Sequence, residues 1–523
     1  MVNRLSTSTT QRWLATVALG LAIACESNPG DGDQTPSPPE PEEAVLSVVP
    51  LDSLRNVRFP WYTADGSRIL ASAESDEFTG TQIVSFQVDG SGIQCLTCDV
   101  WTDEGTPLLK PIAFRDGARA MLRVGAQTPV TPADHAVLEC SPSVTDCQTA
   151  MVIPIVPAAA DDDNVLQDQR EFRPAPDGTH VAFSQTRASA SGTPEFVGLF
   201  GELVLLEDRY EVRNARVVSE RVEIKQFTND GAALIVTRFT DGFEAANPDN
   251  VLIDLATGEE TRVTYALDYD EPLEYSPDGQ WFVVGSGRGA GLFETVSQVK
   301  RPGFINPGIE TLFSSLFLNR NPELLEPWLV DRYGARGDYI GQRLNPGSLE
   351  SGWNARSITN WKPDGTAVVT WESRLDDSSV TRVVVIRLPD RTPLEIGAPH
   401  QPSPTPTWAP AAEGFVPEGL RPQSSRDGAV SGTAEITFTE GEPNTLEVVY
   451  TNFSDDGDWV VDGVERSEYT PGLAGSTTYN AELTLSGAHT GFLRAEGVLI
   501  TAGAIGPAIT SEVDGRQLEL SIP

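Results

Sequence analysis

Glu274-Tyr275-Ser276-Pro277-Asp278-Gly279-Gln280-Trp281-Phe282-Val283-Val284 is the stretch on which the fold turns. An apolar approach runs into Pro-Asp-Gly and leaves as an unbroken hydrophobic run. Proline presets φ for the first corner of a type I turn. The aspartate bonds back to the turn backbone, and glycine takes the left-handed position that closes a hairpin. The exit run is apolar at successive positions, so both faces of that strand expect burial. One copy would be a hairpin.

The chain repeats it. Asp-Gly pairs begin at Asp65, Asp116, Asp177, Asp230, Asp278 and Asp364, spaced by 51, 61, 53, 48 and 86 residues. An aromatic precedes each: Tyr62, Phe114, Phe172, Phe227, Tyr275 and Trp361. An apolar strand follows, such as Ile69-Leu70-Ala71 or Val181-Ala182-Phe183. Several units continue into a second hairpin, as in Ile83 to Gly90, or Leu252 to Gly258 closing on Arg262-Val263-Thr264. Four strands per unit at this period predict the blades of a β-propeller.

Tyr275-Ser276-Pro277-Asp278-Gly279, Trp361-Lys362-Pro363-Asp364-Gly365 and Pro174-Ala175-Pro176-Asp177-Gly178 resemble the WD40-like (PD40) repeats of the TolB propeller family. Leu96-Thr97 and Val263-Thr264 resemble the Leu-Thr that ends such repeats. The units at Asp116 and Asp230 lack the proline, and Ala64 replaces it before Asp65. The resemblance covers roughly residues 45–410 and implies a protein partner in the cell envelope. It departs from TolB in its lipid anchor and in a second domain that follows the propeller, where that of TolB is α/β and precedes it.

The expected architecture is all-β: a six-bladed propeller over 45–412 and a small β-sandwich-like domain over 425–523. Leu46-Ser47-Val48-Val49 and Thr407-Trp408-Ala409-Pro410 are candidates for closing the ring. The longest interval implies an insertion over 291–349. Two short helices are expected in it, Thr311–Leu318 and Pro322–Val330, from apolar spacings of three and four. An insertion at a propeller face is the expected place for a partner to bind, or a lid packed on its own propeller. In the last domain, Glu435–Phe438, Leu446–Tyr450, Ala481–Leu485 and Gln517–Leu520 alternate partly, with one wet and one buried face. Asp455-Asp456-Gly457-Asp458 with Asp462 invites a calcium reading, but the following spacing is not that of an EF-hand; a charged hairpin turn is expected.

Arg4 and Arg12 precede the apolar run Trp13–Ala24, too short to span a bilayer, which asks for roughly 20 residues. A basic start, a short apolar core and small residues at the cut predict a secretory signal over 1–24. Cys25 behind Leu21-Ala22-Ile23-Ala24 resembles the lipobox cysteine of bacterial lipoproteins, which implies lipid attachment there. Glu26, where lipoproteins kept at the inner membrane carry aspartate, implies the outer membrane. Residues 25–44 read as an acidic, Pro-rich tether. With Cys25 lipidated, Cys95, Cys98, Cys140 and Cys147 remain, in a compartment that permits disulfides. Three pairings are open; Cys95–Cys98 with Cys140–Cys147 needs the least chain. Cys95-Leu96-Thr97-Cys98 also has redox-site spacing, but at a strand end, which favours a structural staple.

The formal charge is −38, from 75 acidic and 37 basic residues. A polyanion repels phosphate backbones, so nucleic-acid binding is not expected. The stretch after the propeller contains no Gly-x-Ser-x-Gly elbow of a prolyl-peptidase-like hydrolase. His135, His180, His400 and His489 are scattered, and Gly285-Ser286-Gly287-Arg288-Gly289 lacks the Lys-Ser/Thr of a phosphate loop. The reading is therefore a monomeric, lipid-anchored envelope protein that binds a protein or peptide, with no catalytic residue, metal or cofactor. The alternative is an enzyme that binds or cleaves envelope polysaccharide with carboxylates on a propeller face.

Overall fold

The Pro-Asp-Gly turns form as their residues require. In each unit the glycine N–H closes on the carbonyl three residues back, as Gly279 to Ser276 at 2.8 Å and Gly117 to Phe114 at 3.2 Å. The aspartate Oδ1 accepts the N–H two residues on, at 2.7–3.1 Å in the units of Asp65, Asp116, Asp177, Asp230, Asp278 and Asp364. Gly279 has φ 66°, a conformation that L side chains rarely adopt. The units without proline make the same turn.

The computed structural model describes residues 36–522 except 127–132, 191–193, 239–246, 289, 292, 303–322, 398–401, 419–423, 471–475 and 502. The signal segment, Cys25 and the expected helix Thr311–Leu318 lie outside the described residues. Pro39–Pro523 is one compact unit; the preceding unit ends at Pro38, and its described residues 36–38 carry no strand or helix.

β1 (Val45–Val48) comes first. Four-stranded antiparallel meanders follow. β2 to β5 are Arg55–Tyr62, Arg68–Glu74, Gln82–Gln87 and Gln94–Cys95; β6 to β9 are Leu108–Ala113, Arg119–Val124, Asp134–Pro142 and Cys147–Val156. β10 to β13 are Val165–Pro174, His180–Ala188, Pro194–Leu205 and Tyr210–Glu220; β14 to β17 are Val222–Phe227, Ala233–Arg238, Asp249–Asp254 and Glu260–Arg262. β18 and β19 (Asp270–Tyr275, Trp281–Ser286) are followed by helix α1 (Glu294–Ser297), then β20 and β21 (Glu326–Asp331, Gln342–Arg343). β22 to β24 are Trp353–Trp361, Ala367–Arg374 and Thr381–Arg387, and β1 supplies their fourth strand, Leu46 pairing Ile386.

Around the ring β2 lies beside β6 and β22, β14 beside β10 and β18, and β18 beside β22, while β10 meets the preceding meander at β7 and β8, so the ring closes on itself. This is a β-propeller. β9 and β13 also pair, in parallel, through Tyr210 and Ile155. Second strands such as Leu234-Ile235-Val236 and Phe282-Val283-Val284 are buried on both faces, because each meander stacks on its neighbours through a shared apolar layer. Cys95–Cys98 and Cys140–Cys147 are disulfide-bonded, with Cα atoms 5.8 and 5.1 Å apart.

Several expectations need correcting. Pro322–Val330 is not a helix: Glu326–Asp331 is β20, paired along β19 with Phe282 opposite Val330. Because β20 and β21 complete their meander, the excursion from the repeat is confined to 287–325, narrower than 291–349. Thr407–Pro410 does not join the closing sheet. It runs beside β13, with the Val217 N–H on the Pro410 carbonyl and the Trp408 indole on the Leu255 carbonyl. Glu42, inside the expected tether, is tied down by Arg391 and Gln342.

The C-terminal strands β25 to β32 are Ser424–Asp427, Ser431–Thr439, Asn444–Ser454, Trp459–Tyr469, Thr477–Gly487, Gly491–Ile500, Ile505–Val513 and Arg516–Ile522. They form one sheet in sequence order rather than two facing layers. Alternate residues, such as Tyr479, Ala481, Leu483 and Leu485, converge with Ala434, Leu493 and Leu520 in one core. A single sheet whose inner face meets itself is curled like a barrel, which corrects the sandwich-like expectation. What fills its open side is the excursion: Phe293, Val296 and Val299 belong to the same core. Asp455 and Asp456 form a charged hairpin turn, held by Arg426 and Lys300.

Candidate functional site

The first strands β2, β6, β10, β14, β18 and β22 line the ring axis. Each is offset against its second strand by a bulge, as between Leu109 and Ile112 or Arg170 and Arg173. Bulges re-aim side chains, and here the offset falls beside charged residues. Lys110 and Glu171 themselves hold φ of 57° and 54°, a conformation that costs a non-glycine residue energy and gathers at functional sites.

These side chains form a chain of ion pairs across the ring. Lys110 Nζ meets both oxygens of Glu171 at 2.7 and 2.6 Å. Arg173 also pairs with Glu171 and donates from Nε to the Lys225 carbonyl at 2.5 Å. Arg170 pairs with Glu223, Lys225 with both Glu223 and Glu271, and the Tyr269 hydroxyl donates to Glu271. Further round, Asn360 Nδ2 donates to Glu274 Oε1 at 2.9 Å and its Oδ1 accepts the Tyr62 N–H at 2.8 Å.

Burial sets the titration here. It pushes Lys110 down to about 7, with Arg173 and Arg123 adding to the effect against Glu171. It pushes Glu274 up to about 8 and His135 down to about 3. Burial would also raise Glu223, but Arg170 and Lys225 overcome it and hold that carboxyl down at about 2. Lys110, Arg123, His135, Glu171 and Arg173 line a cavity of about 10 Å³, room for one water.

The sequence-predicted residues lie elsewhere. The six aspartates sit one to a meander, each at its own turn. Asp177 does more than its counterparts, taking His180 Nδ1 at 2.7 Å and the Ser403 N–H at 2.8 Å on Oδ2. His180 stacks on Phe200, and no hydroxyl bonds to its Nε2 among the described residues, so this pair locks the turn to the returning chain. The two disulfides are neighbours, Gln94 Nε2 donating to the Cys147 carbonyl at 2.7 Å. Sequence reasoning missed the charged first strands. The signal was a charge seven residues before the Asp-Gly pair in Arg58, Arg170, Glu223 and Glu271, or six before it in Lys110 and Glu171.

The fold and the charged axis define a β-propeller whose channel is lined by ion pairs. Solved structures similar to this chain include TolB from Acinetobacter baumannii, 15% identical, covering 65% of this chain and 67% of that one, at a TM-score of 0.33. Another is oligogalacturonate lyase from Vibrio parahaemolyticus, 11% identical over 67% of this chain and 99% of that one, TM-score 0.37. A study of two prolyl endopeptidases supplies a third, 12% identical over 83% and 55%, TM-score 0.35. No family model and no curated protein matches the chain.

Proposed function

We propose that this chain is an exported, lipid-anchored envelope protein whose six-bladed propeller binds a protein or peptide partner without catalysis. The carrying observation is the ion-pair chain itself. Glu171, Glu223 and Glu271 each face a cation at bonding distance, so these three carboxylates are held in structural pairs. A hydrolytic or lyase site asks instead for an acid and a base free to meet a substrate. Two disulfides suit an oxidising compartment, and the lipobox-like Cys25 supplies the anchor, at the outer membrane by the presence of Glu26. The partner is met as a monomer, and nucleic acid is disfavoured by the net charge.

A second reading has its own observation. Burial brings Lys110 down to about 7 and Glu274 up to about 8, the range in which the acid and base of an enzyme acting on envelope polysaccharide would titrate.

Crosslinking with mass spectrometry in the native envelope tests the first reading. The expected result is one protein partner joined to residues around the channel. Sugar turnover by the purified chain with no protein crosslink would replace it with the second. Cys25→Ser should release the chain from membranes, and retention would remove the anchor.

A further inference from the structure

Arg58, Arg123 and Arg356 come from three strands, β2, β7 and β22, in meanders that adjoin around the ring. Among the described residues none of them has a carboxylate within ion-pair distance. In a chain with two acidic residues for every basic one, leaving three guanidinium groups unpaired is a deliberate economy. The neighbouring arginines show the contrast, since Arg170 and Arg173 are paired. Glu74 and Glu171 attract Arg58 and Arg123 from a greater distance only, and Arg58 repels Arg356.

Two aromatic rings join the three. Arg58 lies 5.9 Å over Trp371, Trp371 meets Phe59 edge-on at 5.2 Å, and Arg123 lies 5.4 Å over Phe59. Phe59 is turned into place by the β2 bulge, at φ 54°. Arg356 stands directly across the ladder from Trp371. Arg356 is exposed while Arg58 and Arg123 are half-buried, so the group opens to solvent beside the water-sized cavity. The Nε atoms of Arg58 and Arg123 are buried with no hydrogen-bond partner. A buried donor without an acceptor is costly and asks for an explanation.

We propose that Arg58, Arg123 and Arg356, with Phe59 and Trp371 between them, bind a carboxylate of an acidic peptide; this rests on the binding reading above. A guanidinium fork matches a planar carboxylate with two parallel N–H···O bonds. The ring pair offers an apolar surface for the methylene stem beside that carboxylate. A uronic acid sugar suits the site less, because its hydroxyls need acceptors too. Of the nearby carboxylates, Glu74 Oε1 already accepts from Asn56 at 2.8 Å and Thr81 at 3.3 Å, and both oxygens of Glu171 accept from Lys110.

The test is fluorescence anisotropy of a labelled hexaglutamate peptide against the full chain in detergent, at low and at half-molar salt. Saturable, salt-sensitive binding is expected, weakened roughly tenfold or more by Arg58→Gln or Arg356→Gln, from the loss of a charge-assisted bond. Arg494→Gln, on the distant C-terminal sheet, should leave it unchanged. Saturating peptide should raise the melting midpoint of the native chain and not of the two variants. Because Arg356→Gln removes a like charge beside Arg58, its own midpoint should not fall, and a fall of several degrees would mark a structural arginine and overturn the site. Equal affinity for hexaglutamine, or no saturable binding, overturns it too. Displacement by inorganic phosphate or a uronate oligomer at concentrations below the peptide's overturns the peptide assignment. An envelope partner whose crosslinking survives both substitutions overturns this site while the binding reading stands. Peptide binding with no envelope protein partner does the reverse.

Discussion

Arg301 enters the curled C-terminal sheet and meets Glu465 with both arms of its guanidinium, Nε to Oε1 at 3.0 Å and Nη2 to Oε2 at 2.9 Å, with both side chains fully buried. The same arginine donates to the carbonyls of Val296 and Val299, which finishes α1. Tyr450 and Tyr479 donate to the other lone pairs of Glu465 at 2.7 and 2.8 Å. The excursion from the propeller is therefore the plug of the second domain. Its chemistry is that of a domain joint, so loss of the plug exposes a barrel core before it affects any partner.

Removing Arg301 leaves a buried carboxylate with only two hydroxyl donors. Arg301→Ala should cost about 3–5 kcal/mol, the usual cost of breaking one side of a buried pair. Glu465→Gln should cost a similar amount, since it leaves the buried Arg301 guanidinium without its counter-charge. Denaturant unfolding followed by tryptophan fluorescence, to which Trp459 on β28 contributes, measures both. A loss below about 1 kcal/mol for Arg301→Ala would mean the plug is held by its apolar contacts alone.

Asp278 Oδ1 accepts the Gln280 N–H at 3.1 Å and the Ser276 hydroxyl at 2.5 Å. Asp278→Ala should cost about 1 kcal/mol through those bonds and leave hexaglutamate binding untouched. Ala64 is the complementary case, in the position that proline holds in the Asp177, Asp278 and Asp364 turns. Ala64→Pro should stabilise by about 0.4–1 kcal/mol by restricting the unfolded chain. Thermal melts of the two variants, expected to shift in opposite directions, check the pair.

Glu274 carries a pH signature. Its carboxyl is pushed up to about 8 by burial, against donors Asn360 and Trp361. A raised acid binds its proton more tightly folded than unfolded, so stability falls as pH rises from about 4.5 through about 8. Glu274→Gln removes this term. Set level with the native chain at pH 5, the variant should gain on it by on the order of 4 kcal/mol at pH 9. Parallel curves for the two proteins across that range would show the carboxyl ionised throughout.

The repeat was legible because hairpin chemistry is local. Pro277-Asp278-Gly279 determines its turn within four residues, and the buried second strands follow from consecutive apolar residues such as Phe282-Val283-Val284. The curled sheet was not legible, because Tyr479, Ala481 and Leu483 alternate as either a sandwich or a barrel would require. Only the arrival of Phe293 and Arg301 from another part of the chain tells them apart. The channel failed for a related reason. Lys110 and Glu171 are 61 residues apart, and a lone charge in an apolar strand looks like an edge position until the bulge turns it to the axis. Pro322–Val330 misled because Leu324, Leu325 and Trp328 mimic helical spacing, while pairing with β19 decides the strand.

Glu171 and Lys110 should respond unequally to substitution. Glu171 lies among Lys110, Arg173, Lys225 and Arg170, whose charges hold its carboxyl well below the usual range despite burial. Replacing it strips the counter-ion from Lys110 and Arg173, while Arg170 and Lys225 keep Glu223. Lys110 is one of several cations around that carboxylate and is itself pushed down to about 7, so its loss leaves Arg173 still paired. Glu171→Gln should cost about 3–5 kcal/mol, as for a broken buried pair, and Lys110→Met about 1 kcal/mol, since its stem is replaced by one of similar length. Urea unfolding of both variants measures the difference. Equal losses would mean that Lys110 and Glu171 act as an isolated pair, and that the chain of charges around the axis is not energetically connected.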